Sequence, residues 1–485
     1  MRQKIKKAGK KNKKVVPLTY HDGLSPLRWN AGGIDIGASE VWVDVGGADA
    51  DPVRVFETFT ADLNRMGDWL KSCGIQTVAM ESTGVYWIPV CQILESKGIE
   101  VYLVNAKMVK NVSGRKSDLL DCQWLRTLHS YGLLPASFRP AKDIGVLRAY
   151  MRHRQMLIEC AAAHVQHMQK ALTQMNLQLQ HVISDITGWT GMKIIRAIVA
   201  GERNPKRLAA LRDTRTKANE STIAKALEGD YRKEHLFALQ QSLELFDTYQ
   251  KQIASCHDQI EQYLKSLEAK ADVGELQAAR TRKKKQRNQP EFSIREQAHR
   301  ISGVDLTQIN GIHESAALTL ISEIGIDMSP WKTEKHFSSW LALSPNNKIS
   351  GGKILRRSTR KFANRAREIL QLCAQSLLQS HSALGAYSRR MCSRLGKPKG
   401  IVATAHKLAI LVYRMLKFGH QYTDIGQERY EQQYKERLLH RLARKAKELG
   451  FQLVPRPEQV PASPFLFKRS TSTRIEFGGT LFSCS

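Results

Sequence analysis

Four acidic side chains, Asp35, Glu81, Asp118 and Asp121, recur in an order that suits phosphodiester chemistry. Asp35 stands in Gly32-Gly33-Ile34-Asp35-Ile36-Gly37, an apolar run that reads as a strand, and Glu81 ends a second run, Thr77-Val78-Ala79-Met80-Glu81. Asp118 and Asp121 follow a basic turn, Gly114-Arg115-Lys116-Ser117, and open a helical pattern in which their spacing puts both on one face. Hard carboxylate oxygens carried on two strands and one helix suit Mg²⁺. A pair of ions is expected, polarising a scissile phosphate and its attacking and leaving oxygens. Taken singly, each acid has a plainer reading as a turn, cap or first-turn helix charge. The order strand-Asp, strand-Glu, helix Asp-x-x-Asp favours the metal site.

A second feature is Ser350, in Ile349-Ser350-Gly351-Gly352-Lys353. A serine before two glycines sits where one backbone approaches another closely, and the amides of such a turn can cradle a phosphate. Lys353, Arg356, Arg357, Arg360 and Lys361 follow and would bind a nucleic-acid backbone, as would Arg115 and Lys116 beside the acids. In that setting the Ser350 hydroxyl becomes a candidate nucleophile toward a phosphodiester. By itself the segment reads as an exposed loop. It is not a Walker A loop, because Ile354 stands where Ser or Thr would follow the lysine. Upstream, residues 306–313 and the apolar run 316–321 resemble a helix-hairpin-helix, in which the turn at Gly311 would offer backbone amides to a DNA phosphate.

The rest of the chain is read as the frame for these residues. A chain of 485 residues is long enough for two to four domains. Its 75 Lys and Arg against 45 Asp and Glu give a formal charge of +30, which points to a polyanionic partner. No window is long and apolar enough to span a membrane. The 8 cysteines contain no Cys-x-x-Cys pair, so neither zinc nor a disulfide framework is expected, and the chain is expected in the cytosol.

Residues 1–28 form a Lys-rich arm read as disordered. Residues 29–140 give three short strands and then strand-helix-strand alternation, the order of an α/β, RNase H-like mixed sheet covered by helices. Residues 141–271 are helical. Leu236, Leu243, Gln250, His257 and Leu264 repeat every seven residues, with Leu239, Phe246, Ile253, Ile260 and Leu267 interleaved, a coiled-coil seam that pairs either within the chain or with another subunit. A shorter helical pair broken at Asn204-Pro205 resembles a helix-turn-helix. Residues 272–300 read as a basic linker, 301–425 as a mainly helical domain, and 426–485 as a charged helix and tail.

Together the two constellations resemble the DEDD-type insertion-sequence transposases, bridge-RNA-guided recombinases that pair a RuvC-like domain with a serine-bearing transposase domain. The matching stretches are Gly33-Ile34-Asp35-Ile36-Gly37, Met80-Glu81-Ser82-Thr83-Gly84-Val85-Tyr86-Trp87, and the segment from Val104-Asn105-Ala106-Lys107 to Asp118-Leu119-Leu120-Asp121. A fourth runs from Gly311-Ile312 to Asn346-Asn347 and Ser350-Gly351-Gly352-Lys353. The resemblance implies that Asp35, Glu81, Asp118 and Asp121 bind the metal and that Ser350 joins covalently to a DNA end. It also implies Mg²⁺, donor and target DNA, a noncoding guide RNA, a bacterial or archaeal host with the protein near its nucleoid, and a dimer or tetramer with composite sites. Two rivals use fewer of these features. A hydrolytic nuclease of junction-resolvase type needs the acids but no serine, and a non-catalytic nucleic-acid scaffold needs only the charge.

Overall fold

A computed structural model describes residues 25–105, 118–272, 274, 276, 288–356 and 364–454. The chain divides into two compact units, Met1–Val146 and Leu147–Ser485. No helix among the described residues is long and apolar enough to cross a membrane.

The first unit is a five-stranded sheet in the order β3-β2-β1-β4-β5, built from β1 (Ala31–Ile36), β2 (Glu40–Asp44), β3 (Val53–Glu57), β4 (Thr77–Glu81) and β5 (Glu100–Val104). The first three strands are antiparallel neighbours, whereas β4 and β5 run parallel to β1. Antiparallel strands need only tight turns, but parallel ones need crossovers, and the crossovers here are α1 (Thr60–Ser72) and α2 (Trp87–Ser96). This is the RNase H-like arrangement expected from the order of strand and helix signals, and it is consistent with the RuvC-like domain that the family resemblance implies. Strand alternation sorts the residues into two layers. Ile34, Ile36, Val41, Val43, Val78 and Met80 pack with Leu63, Met66, Leu70 and Leu94 of α1 and α2. The opposite face receives α3 (Asp118–Ser130), whose Leu125 packs with Ala79, Val104 and Leu134.

The second unit opens along α4 (Lys142–Gln174) and contains α7 (Lys233–Ser266) as its other long helix. Tyr150 meets Tyr263 with ring centroids 5.9 Å apart, Arg154 Nε donates to His257 Nε2 at 2.8 Å, and His164 stacks on Tyr249 at 5.4 Å. As numbers rise on one helix they fall on the other, so the pair is antiparallel. The heptad seam of α7 is therefore closed by α4 inside one chain, with Leu239, Leu243, Phe246, Ile253, Ile260 and Leu264 buried. The polar residue at position 257 faces an arginine.

Between the long helices lie α5 (Trp189–Val199) and α6 (Pro205–Ala209), the latter capped by the Asn204 side chain. At five residues α6 is too short to lie along a DNA groove as a recognition helix. Next comes α8 (Ile294–Ser302), started by a Ser293 cap on the Glu296 amide. Most of it, residues 294–300, falls in the stretch expected as linker. Beyond it come α9 (Glu314–Ile324), α10 (Glu334–Trp340), α11 (Arg365–Ser376), α12 (Ala383–Leu395) and α13 (Lys397–Phe418), with Trp331, Phe337 of α10 and Tyr413 of α13 meeting ring to ring. The buried Tyr413 hydroxyl donates to the Trp331 carbonyl at 2.9 Å. The last helix described is α14 (Gln427–Glu448).

Candidate functional site

Because Ile34 and Met80 face the α1–α2 layer, Asp35 and Glu81 face the α3 side. The parallel register sets Ile34 opposite Met80. Asp35 and Glu81, each one residue further on, thus emerge next to one another at the carboxyl ends of adjacent strands, where open α/β sheets place their ligands. The first turn of α3 supplies Asp118 and Asp121, a position where the helix dipole favours acids.

Carboxylate oxygens of Asp35, Asp118 and Asp121 lie within 4.8 Å of one another, with Asp35 half-buried and Asp118 exposed. Glu81 is not one of these three, but its charge reaches Asp35. Burial, then the charges of Asp121, Asp118 and Glu81, push the Asp35 carboxyl up to about 6. Three converging hard oxygens that repel one another are a donor set a divalent cation would satisfy.

Two devices seat α3. Gly33 brings the β1 backbone against the helix so closely that a Cβ there would stand 2.1 Å from the Cys122 carbonyl oxygen and 2.4 Å from the Arg126 amide. Arg126 Nε also donates to Asp44 Oδ2 at 2.6 Å, and both side chains are buried. Gly33 pairs with Asp44 across β1 and β2, so glycine and ion pair act at one spot. Neither contact was expected from the sequence, because nothing local tells which helix lands on which strand. Arg126→Met leaves the Asp44 carboxylate buried without its guanidinium and is expected to cost about 3–5 kcal/mol. The measurement is urea unfolding followed by tryptophan fluorescence, and an unchanged midpoint would show that the pair holds nothing.

In the second unit, β6 (Lys348–Ser350) and β7 (Lys353–Arg356) form an antiparallel hairpin. The expected loop is thus a strand pair closed by Gly351 and Gly352, whose φ values of +53° and +74° are those of a two-residue type I′ turn. Two glycines between short runs containing β-branched residues are the sequence signal for it. Ser350 pairs directly with Lys353, so hydroxyl and ammonium share one face of the exposed tip. Arg356 is exposed at the far end of β7.

The neighbouring hydroxyl of Ser344 is half-buried and lies 3.3 Å from that of the buried Ser338, a structural contact. Ser358, Arg357, Arg360, Lys361, Arg115 and Lys116 lie outside the described residues. Gly311 has φ +89°, and a Cβ on it would meet Leu377 Cγ at 2.8 Å and the Cys373 carbonyl at 2.9 Å. Its glycine is required by packing against the chain's own residues. The α9 start beside it is capped by His313 and carries Glu314, a charge that opposes a phosphate.

Two family models match the chain. One, a DEDD-type transposase model, covers residues 32–177, and the other, described as "Transposase IS116/IS110/IS902 family", covers residues 305–389. No curated protein matches it. The first stretch contains all four acids and the second contains Gly311, Ser350 and Lys353. The two matches fall on the two places where the residues themselves suggest phosphodiester chemistry, and the chain belongs to the IS110 family of DEDD-type insertion-sequence transposases.

Proposed function

We propose that the protein cuts and rejoins DNA through a covalent serine–DNA intermediate, with Asp35, Glu81, Asp118 and Asp121 holding Mg²⁺ and Ser350 as nucleophile. The observation that carries this reading is the convergence of Asp35, Asp118 and Asp121 oxygens within 4.8 Å at the carboxyl ends of the sheet. Bound Mg²⁺ would supply positive charge to the phosphate and to the oxygens entering and leaving it.

The Ser350 oxygen attacks phosphorus, a serine–phosphorus bond forms, and the bond to one DNA oxygen breaks. The hydroxyl proton passes to solvent, and the departing strand takes up a proton to end in a hydroxyl. A DNA hydroxyl then displaces the serine in the reverse substitution, so the strand is rejoined without hydrolysis. Lys353 opposite Ser350, with Arg356 along β7, holds the phosphodiester and its backbone at the hairpin tip. On the same reading the protein acts as a dimer or tetramer, with acids from one subunit and serine from another. A noncoding guide RNA selects donor and target. These last two features rest on the family resemblance.

The test is a denaturing gel of the purified protein with Mg²⁺, the element's DNA ends and the flanking transcript. A slow-migrating protein–DNA adduct is expected, and Ser350→Ala is expected to lose it entirely. Cleaved DNA at wild-type rate in Ser350→Ala, with no adduct in either protein, would replace this reading with hydrolysis at the acids.

A further inference from the structure

The helix α14 lies beyond both stretches matched by the transposase models. It runs for 22 residues and, among the described residues, buries none of them. A helix with so little burial draws too little from packing to be held over its whole length by the chain alone. Its first turns are seated: the Arg390 guanidinium lies 3.4 Å from the Tyr434 ring centroid and 5.1 Å from that of Tyr430. Arg389 donates to the Gln427 amide oxygen at 2.8 Å. The last turns carry the charge. With successive residues turned by about 100°, Arg437, Arg441, Arg444, Lys445 and Lys447 fall on one half of the cylinder, and all five are exposed. Leu439 and Leu442 lie on the other half. The acid partner on the basic side is Glu448, 3.8 Å from Arg444 in an exposed pair that holds little.

We infer that the basic face of α14 is an accessory clamp on the backbone of duplex DNA. Charge complementarity selects this occupant. Five cations spread along about 15 Å of helix rise match the phosphates of a duplex, which carries a charge about every 1.7 Å of its axis. The Arg390–tyrosine contact fixes the direction in which the helix leaves α12. The inference rests on the reading of the chain as an enzyme acting on DNA and not on the serine chemistry.

The experiment is fluorescence anisotropy of the full-length protein on a labelled duplex of arbitrary sequence, across about 50 to 200 mM salt. Arg437, Arg441, Arg444 and Lys445 are changed together to Gln, which keeps helix propensity. If two to four of them touch phosphates, the slope of log affinity against log salt becomes shallower by about 2 to 4. Tyr434→Ala removes no charge but unseats the helix, and a several-fold weaker affinity is expected from it as well. Superimposable slopes for wild type and the Gln variant overturn the inference. A Gln variant with wild-type slope that loses self-association in sedimentation overturns it too, assigning the helix to a second copy of the chain. A wild-type protein that leaves the duplex free even at low salt would overturn the DNA reading itself.

Discussion

Replacing Asp35 by Asn is expected to stop strand transfer and, at the same time, to make the cation-free protein more stable. The two effects have one cause. Burial and the charges of Asp121, Asp118 and Glu81 raise the folded-state Asp35 carboxyl from its ordinary 3.8 to about 6. Folding therefore favours the protonated acid. The stability this gives is fully present below the ordinary carboxylate range and is lost as pH rises toward 6, so at neutral pH the fold carries an unfavourable charge. Asn keeps the shape and removes the charge. Two pKa units correspond to almost 3 kcal/mol, and because the group is only half-buried the gain at neutral pH is expected to be about 1–2 kcal/mol. It should vanish near pH 4.

Activity moves the other way. Loss of a metal ligand at a phosphoryl centre removes several kcal/mol of transition-state stabilisation, and with about 1.4 kcal/mol per tenfold the rate is expected to fall by about 10³-fold or more. Thermal unfolding distinguishes the two roles of the carboxylate. Mg²⁺ should raise the wild-type midpoint by mass action and leave the Asn variant almost unmoved. A variant that is less stable than wild type without Mg²⁺, or equally stabilised by it, would show that Asp35 is an ordinary strand-end residue.

The parts of this arrangement legible in the sequence are those set by local pattern. Strands β1, β4 and β5 are short apolar runs bounded by glycine or polar residues, and the first helix of the expected strand-helix-strand alternation is α1 (Thr60–Ser72). The heptad of α7 announces a buried face but not what buries it. That depends on Tyr150, Arg154 and His164 arriving opposite Tyr263, His257 and Tyr249, which is a property of the folded chain. The serine hairpin escapes because strands of three and four residues are too short for alternation to register. The two glycines then speak louder as a loop. At Gly311 the sequence suggests a turn offering amides to a phosphate, and it carries no sign of the close approach of α11 (Arg365–Ser376) and Leu377 that itself calls for a glycine there. The order of the acids suggests a cluster, and the oxygens of Asp35, Asp118 and Asp121 do converge, but the close seat that brings them together is not legible.

That seat supports the second large effect. Gly33→Ala leaves every carboxylate in place and is nevertheless expected to disable the centre. A methyl group at Gly33 would stand 2.1 Å from the Cys122 oxygen and 2.9 Å from Arg126 Cβ, and the obstacle is helix backbone that no rotamer change can move aside. The helix must retreat by about 1 Å, and displacements of that size at a reacting centre cost about 10²-fold in rate. Cys122 follows Asp121 directly, and Gly33 lies two residues before Asp35 on the same strand face. The forced gap therefore opens between the two halves of the carboxylate cluster. A stability loss of about 1–3 kcal/mol from overpacking is expected alongside. The control is Gly32→Ala on the same strand, whose methyl group would point to the other layer and meet a Val78 methyl at 3.1 Å, a far smaller overlap than the 2.1 Å at Gly33. The comparison to make is the Mg²⁺-induced rise in unfolding midpoint for both variants. Gly32→Ala should keep it and Gly33→Ala should lose most of it. Equal Mg²⁺ responses would mean that the seating of α3 on β1 does not set the carboxylate geometry.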